Sequence, residues 1–218
     1  MKTNSQLRRD VQDQLTWEPS VRDDEIGVAV KDGVVTLSGH VPSYADKYIA
    51  IYAVERVTGV KAVADEIEVK LPSSHERTDT ELAHAAVNAL GWHVQVPEDR
   101  VKATVRDGWI TLEGEVEWQY QRGAAERALR NLKGVRGVTN LVSVKPARVS
   151  QYDVTQRIKD TLRRSADLAT DLITVETHDG AVTLKGTVRS FAERRDVERA
   201  AWAAPGVTRV DDRIIVGI

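Results

Sequence analysis

The chain has 218 residues, and its 31 lysines and arginines nearly balance 33 aspartates and glutamates. That balance excludes the basic excess expected of a general nucleic-acid binder, and the absence of cysteine excludes disulfides and thiolate chemistry. The first ten residues hold Arg8, Arg9 and Asp10 where a secretory signal needs an apolar stretch, which predicts a cytoplasmic location. The longest segment without Asp, Glu, Lys or Arg, 82–97, is too short to cross a bilayer, so the protein is not expected to be transmembrane.

A repeat of three copies organises the chain. A shift of 75 residues lays the first third on the second without a gap, and a further shift of 72 lays the second on the third. The clearest block reads DGVVTLSG at 32–39, DGWITLEG at 107–114 and DGAVTLKG at 179–186. Self-similarity of this kind indicates one structural unit used several times. It predicts module 1 at 1–72, module 2 at 77–147 and module 3 at 149–218.

Each copy opens with a predicted amphipathic helix, because apolar residues four apart form one stripe. The stripes are Leu7, Val11 and Leu15, then Leu82, Ala86 and Leu90, then Val154, Ile158 and Leu162. Asn4 and Asp79 are predicted N-caps, with Gln151 or Tyr152 in the third copy. Ala83, Ala85 and Val87 are expected to widen the buried face in copy two.

An antiparallel hairpin is predicted next. Alternating apolar residues, such as Ile26, Val28 and Val30, indicate a strand with one buried face. The repeated Asp-Gly pair is typical of a type I′ turn, in which both central residues have positive φ. The return strand then buries Val35 and Leu37.

A second helix and a third strand complete each copy. Ala50, Ala53 and Val54 share one helix face, and a right-handed crossover should bring the last strand back parallel to the second strand. The predicted fold is therefore α+β. It consists of three tandem α-β-β-α-β modules, each a three-stranded mixed sheet with two helices on one face. We expect the first strand in the centre of each sheet.

A second repeated pattern, G-V-x-x-V-x-[DN], stands at 59–65, 134–140 and 206–212. Together with the hairpin pattern D-G-x-[VI]-x-L-x-G, it resembles the BON domain, a family named after bacterial osmotically inducible and nodulation proteins. The resemblance implies a stress- or envelope-associated protein of phospholipid-binding or chaperone-like type. It also implies a periplasmic location as the family habit, in contrast to the cytoplasmic expectation.

Catalysis finds little support in the sequence. There is no nucleophile elbow, P-loop, dinucleotide fingerprint or H-E-x-x-H pair. The five histidines, His40, His75, His84, His93 and His178, are scattered along the chain. The acidic run at 23–25 fits a solvated loop better than a weak cation site. We expect no enzyme, no cofactor and no metal.

The copies differ on the outward side of the second helix. Copy one carries Tyr44, Tyr48, Ile51 and Tyr52, where the other copies are mostly charged. Clustered apolar side chains of this kind usually mark a contact surface. Packing against a neighbouring repeat, a subunit or client contact, and lipid binding all remain open for them.

Copy two holds a candidate lipid site made of two tryptophans and three arginines. The residues are Trp109, Trp118, Arg122, Arg127 and Arg130. Tryptophan favours membrane and protein interfaces, and arginine complements lipid phosphates. Packing between repeats, or plain solvation, would explain the same residues.

The leading hypothesis is a non-enzymatic, stress-associated protein that binds phospholipid head groups or exposed segments of client proteins. One alternative is a structural scaffold, in which the apolar patches join the repeats or join subunits of a homo-oligomer. The other is a small-cation sensor that uses loop carboxylates.

Overall fold

Module 1 shows how each unit is built, in the order helix, hairpin, helix, strand. It comprises α1 (Asn4–Thr16), β1 (Ile26–Lys31), β2 (Val34–Val41), α2 (Tyr44–Glu55) and β3 (Ala62–Val69). A computed structural model of the chain describes residues 2–21, 23–145, 154–155, 158, 161 and 173–217.

Modules 2 and 3 repeat that order, except that two short strands stand in place of the last strand of module 2. Module 2 has α3 (Asp79–Trp92), β4 (Val101–Arg106), β5 (Trp109–Val116), α4 (Gln119–Arg130), β6 (Gly137–Asn140) and β7 (Ser143–Val144). Module 3 has helical turns at Val154, Thr155, Ile158 and Thr161, then β8 (Ile173–His178), β9 (Ala181–Val188), α5 (Phe191–Trp202) and β10 (Arg209–Val216). Gln151, Tyr152 and Leu162 lie outside the described residues. The predicted α+β fold of three tandem modules is confirmed.

The hairpins and crossovers follow the prediction, whereas the expected strand order is wrong. β1 pairs antiparallel with β2, and β3 pairs with β2 in parallel. The order β1-β2-β3 therefore places the second strand, not the first, in the centre. β2 has eight residues against six in β1, and its inward Val35 and Leu37 are fully buried. The longer and more deeply buried strand can offer both of its edges to neighbours.

The Asp-Gly turns have the backbone that a type I′ hairpin requires. Asp32 and Gly33 have φ values of 54° and 86°, and Asp107 and Gly108 have 52° and 77°. Two successive positive φ values match the right-handed twist of the paired strands. The repeated aspartate is thus explained by the turn.

The predicted N-caps Asn4 and Asp79 are wrong by one residue. Thr3 and Thr78 cap α1 and α3, each in a capping box with the residue three positions on. The Asn4 side chain instead accepts a hydrogen bond from the Asp32 backbone N–H at 3.0 Å. Asp79 accepts in the same way from the N–H of Asp107, at 2.8 Å. These two residues tie the first helix to the hairpin turn.

Each module buries its own apolar core between its helices and one face of its sheet. Leu82, Ala86 and Leu90 form the buried stripe of α3 as predicted. Val87 does not widen that stripe, because 62% of it is exposed. Among the described residues, no helix combines the length and the apolar character needed to cross a membrane.

Candidate binding sites at the junction of the second helices

The second helices meet in pairs: α2 contacts both α4 and α5, and α4 and α5 line one cleft. We call the contact between modules 1 and 2 the first seam, that between modules 2 and 3 the second seam, and that between modules 3 and 1 the third seam.

The first seam is filled by tyrosines of α2. The Arg130 guanidinium of α4 lies 3.2 Å from the centre of the Tyr48 ring, a cation–π contact. Tyr44 packs against the core of module 2 and contacts the Val138 backbone. Burial, reinforced by the Glu126 carboxylate, raises the pKa of the Tyr44 phenol above its ordinary value. The phenol is therefore held protonated between the two modules.

The third seam is closed by an ion pair and an aromatic ring of α5. Arg195 pairs with Glu55 of α2, and its guanidinium lies 5.3 Å from the centre of the Tyr52 ring. Burial raises the pKa of Glu55, and the nearby Arg195 charge only partly offsets that effect. Phe191 packs against the cores of modules 1 and 3. Ile51 packs within module 1 itself.

The repeat alignment shows that the three seams are versions of one contact. Tyr48, Gly123 and Arg195 are equivalent positions, and so are Glu55, Arg130 and Trp202. At each seam, the first position of one module meets the second position of the next. The pairs are Tyr48 with Arg130, Gly123 with Trp202, and Arg195 with Glu55. The contacts close on themselves, as they do about an approximate threefold axis.

The second seam is open, as a cleft of about 710 Å³. Its walls carry three aromatic rings, Trp118, Tyr120 and Trp202, and two guanidinium groups, Arg127 and Arg199. Tyr44 of the first seam corresponds to Gln119 here, and Tyr48 corresponds to Gly123. These two replacements remove the rings that would fill the space.

Cations near the cleft differ in how far they are already engaged. Arg199 pairs with Asp196 at 2.7 Å. Arg127 is exposed and makes a 3.4 Å hydrogen bond to the neutral Gln95 side chain. The Oε1 atom of Gln119 is buried without a hydrogen-bond partner among the described residues. A ligand in the cleft would meet Arg127 as its principal positive charge.

Arg122 and Arg130, two of the predicted lipid-binding arginines, are used inside the protein. Arg122 donates to the Asn140 backbone carbonyl at 3.0 Å, and the Asn140 side chain donates back to the Arg122 carbonyl. Modules 1 and 3 have the equivalent contacts Lys47–Asp65 and Arg194–Asp212. Arg130 lies under Tyr48, as described above. In all three modules, the cation at the position of Arg122 therefore links the second helix to the last strand.

Trp109 lies apart from Trp118. Its indole N–H donates to Thr139 at 2.8 Å, and its ring covers Gly137, where any β-carbon would come within 2.5 Å of a ring atom. About half of Trp109 is exposed, in a cleft between β3 and the sheet of module 2 that is also lined by Arg106 and Arg136. Of the five predicted lipid-site residues, the structure brings only Trp118 and Arg127 to one cleft.

Three tryptophans were not singled out from the sequence: Trp202 of the second seam, and two that end the first helices of modules 1 and 2. Trp17, at the end of α1, is 82% exposed, and Trp92, the last residue of α3, is 92% exposed. The shift of 75 residues makes them equivalent positions, which was the available signal. Val94 beside Trp92 is 98% exposed and enlarges the apolar surface.

Comparison with known proteins gives the family. The BON domain matches the chain three times, over residues 3–70, 78–146 and 151–218. The chain belongs to the BON family. A curated relative, osmotically-inducible protein Y of Escherichia coli (strain K12), is 27% identical over 150 residues, which are 65% of this chain and 73% of that protein. Neither the family description nor the relative's name denotes an enzyme.

The chain is similar in fold to two solved structures of CdsD, a structural protein of the type III secretion system of Chlamydia trachomatis. One is 16% identical, covers 94% of this chain and 90% of that chain, and has a TM-score of 0.26. The other, the C-terminal domain, is 17% identical, covers 100% of both chains and has a TM-score of 0.28. The PrgH periplasmic domain is 12% identical, covers 94% of this chain and 99% of that chain, and has a TM-score of 0.23. TM-scores of this size carry no weight for function.

Two expectations remain to be set against these findings. The expected cytoplasmic location gains no support from the BON comparisons, and the periplasmic habit of the family stands as the alternative. Within the part of the chain that the structure describes, no three His, Asp or Glu side chains gather as metal ligands. The described residues therefore offer no site that supports the cation-sensor alternative.

Proposed function

We propose that this BON protein is a stress-associated, non-enzymatic binding protein that docks on phospholipid surfaces through Trp17 and Trp92. The observation that carries the proposal is the near-complete exposure of two indole rings, 82% and 92%, at equivalent positions of two modules. The family and its osmotically inducible relative support the stress association. A phospholipid-binding role also suits the periplasmic habit that the family implies.

Physical chemistry favours a membrane interface for such rings. The indole combines a large apolar surface with one polar N–H, and tryptophan accumulates where hydrocarbon meets water. Val94, two residues beyond Trp92, is 98% exposed and adds apolar area beside it. Because the net charge is only −2, insertion of these side chains, and not long-range attraction, drives the proposed binding.

The arrangement of the modules supports simultaneous contact. The cyclic order of the three seams is the order that a threefold rotation would give, and such a rotation would hold equivalent residues at the same height along its axis. Trp17 and Trp92 would then meet a flat surface together, and two weak anchors joined in one molecule bind far more tightly than either alone.

Vesicle co-sedimentation tests the proposal. Vesicles of phosphatidylcholine with phosphatidylglycerol should pellet the wild-type chain, and the pelleted fraction should change little between 50 and 500 mM NaCl, about the range over which charge-driven binding is screened. The double variant Trp17→Ala/Trp92→Ala should stay in the supernatant. Trp118→Ala, which removes a tryptophan from the second seam, is the matched control and should still pellet.

Two other results would contradict the proposal. Wild-type protein that stays in solution with and without vesicles overturns phospholipid binding. Loss of binding in Trp118→Ala, with the double variant unaffected, moves the site to the second seam and overturns the role of Trp17 and Trp92.

The scaffold alternative has the seams in its favour. Tyr44, Tyr48 and Tyr52, which a subunit contact would need, are engaged by Val138, Arg130 and Arg195 of the same chain. These contacts support a scaffold within one molecule. Light scattering of the full chain as a monomer would agree with that arrangement, whereas a stable dimer would favour the homo-oligomer.

A further inference from the structure

The open cleft of the second seam differs from the other two seams in a way that points to a ligand. In the first seam, two tyrosine rings of α2 occupy the space against α4. In the second seam, Gln119 and Gly123 stand at the equivalent positions, and a cleft of about 710 Å³ remains. That volume lies within the range of roughly 300–1,000 Å³ found for small-molecule sites.

The lining defines the chemistry of the occupant. Trp118 and Tyr120 have their ring centres 6.5 Å apart with an angle of 26° between the planes, and together they form one apolar wall. Trp202 belongs to the opposite helix, where its indole N–H donates to Glu198 at 3.3 Å. An apolar body can therefore lie between aromatic surfaces from two modules.

The charges at the cleft favour an anionic end on that body. Among the described residues, Arg127 bonds only to the neutral Gln95 side chain, and its guanidinium can hold a carboxylate or phosphate through two parallel hydrogen bonds. Arg199 lies on the facing helix but already shares its charge with Asp196. Glu198 is held by the Trp202 indole N–H and by its own helix.

From this geometry we infer that the second seam binds a single-chain anionic amphiphile. Trp118, Tyr120 and Trp202 surround the apolar chain, and Arg127, assisted by Arg199, binds the carboxylate or phosphate head group. This site is separate from Trp17 and Trp92, and it requires no membrane surface. A fatty acid and an anionic lysophospholipid share the chemistry that it recognises.

Calorimetric titration with decanoate, below its micelle-forming concentration, tests the inference on the full chain. Decanoate should bind the wild-type protein, whereas acetate, which has the head group without the chain, and octyl glucoside, which has a chain without the charge, should bind at least tenfold more weakly. Decyl phosphate should bind as well as decanoate if the anion is the recognised feature.

Three variants locate the site. Gly123→Tyr restores the residue that fills the first seam, and it should abolish binding. Arg106→Gln, which removes an arginine charge from an exposed position of β4 outside this cleft, should leave binding within about threefold of wild type. Arg127→Gln should weaken decanoate binding by about tenfold without changing the weak binding of octyl glucoside. Circular dichroism and thermal unfolding show that each variant is folded.

The same titrations can overturn the inference. Equal decanoate binding by wild type and a folded Gly123→Tyr variant places the ligand elsewhere. Equal binding of octyl glucoside and decanoate removes the role of Arg127. No heat with decanoate or decyl phosphate rejects the site. The double variant Trp17→Ala/Trp92→Ala should bind decanoate like wild type, so this outcome is independent of vesicle binding.

Discussion

The first and second seams are built from equivalent positions, and yet one is packed and the other is open. Tyr44 and Tyr48 fill the first seam, whereas Gln119 and Gly123 leave the second seam as a cleft. The opposing residue differs as well, because Arg130 faces Tyr48 while Trp202 faces Gly123. Two residue differences on one helix thus separate a packed contact from an open cleft.

In this repeat protein, the contacts between modules differ in chemistry while the fold of each module stays the same. The cores, turns and helix–strand struts recur in all three modules, since each module needs them to fold. The seam positions are under no such constraint within a module, and they have diverged in chemistry. A cation–π contact, an ion pair and an open aromatic cleft now stand at the three seams.

Tyr44→Ala should have the largest effect on stability. Its ring packs on the core of module 2, so truncation should lower the free energy of unfolding by about 2 kcal/mol, less than the roughly 3–5 kcal/mol of a fully buried aromatic residue. Urea unfolding measures the change. Gln119→Ala is the matched control at the second seam and should change stability by less than about 0.5 kcal/mol. Equal losses in the two variants would show that the seams do not differ as described.

The Glu55–Arg195 pair should give the next effect. A double-mutant cycle with Glu55→Gln and Arg195→Gln should show a coupling of about 1 kcal/mol, because these side chains are only 15% and 36% exposed. Asp211 and Arg213 serve as the control pair, with side chains 35% and 63% exposed. Their cycle, with Asp211→Asn and Arg213→Gln, should give a coupling close to zero. If Glu55 and Arg195 showed no coupling, modules 3 and 1 would not be in contact through this pair.

The fold could be predicted from the sequence because the repeat supplies the same information three times. Apolar residues four apart set the helices, alternation set the strands, and Asp-Gly set the hairpin turns. Strand order was wrong because pairing between distant strands leaves no periodic mark. Only the greater length of β2 hinted that it lies in the centre.

The candidate sites were predictable only in part. Trp118 and Arg127 could be named from one module, but Trp202 and Arg199 come from another, and no pattern within a module brings them together. Arg122 misled in the opposite direction, since its helix position faces Asn140 of the last strand. Comparing Lys47, Arg122 and Arg194 as equivalent positions would have shown this cation to be structural.

Gly123→Ala should raise the free energy of unfolding by a small amount. Glycine in a helix interior costs about 0.5–1 kcal/mol relative to alanine, and α4 has Gly123 in its interior. The nearest atom to the added methyl group is the end of the flexible Arg127 side chain, at 3.1 Å, which can move. Urea unfolding should therefore show a gain of about 0.5–1 kcal/mol. A loss would mean that the second seam is more tightly packed than its cleft implies.

The smallest expected effect is a loss of stability at alkaline pH, and it should arise at Tyr44 of the first seam. Burial raises the pKa of Tyr44 above its ordinary value of 10.0, so the folded protein holds this proton more strongly than the unfolded chain does. Its contribution is fully present below about pH 10 and is lost as the pH rises through the folded-state pKa. Tyr44→Phe cannot ionise, so the difference in unfolding free energy between wild type and Tyr44→Phe should be constant up to about pH 10 and should then shift against wild type. The comparison cancels the titration of lysines and of the other tyrosines, which both proteins share. A difference that stays constant to pH 11 would place Tyr44 in water and not between the modules.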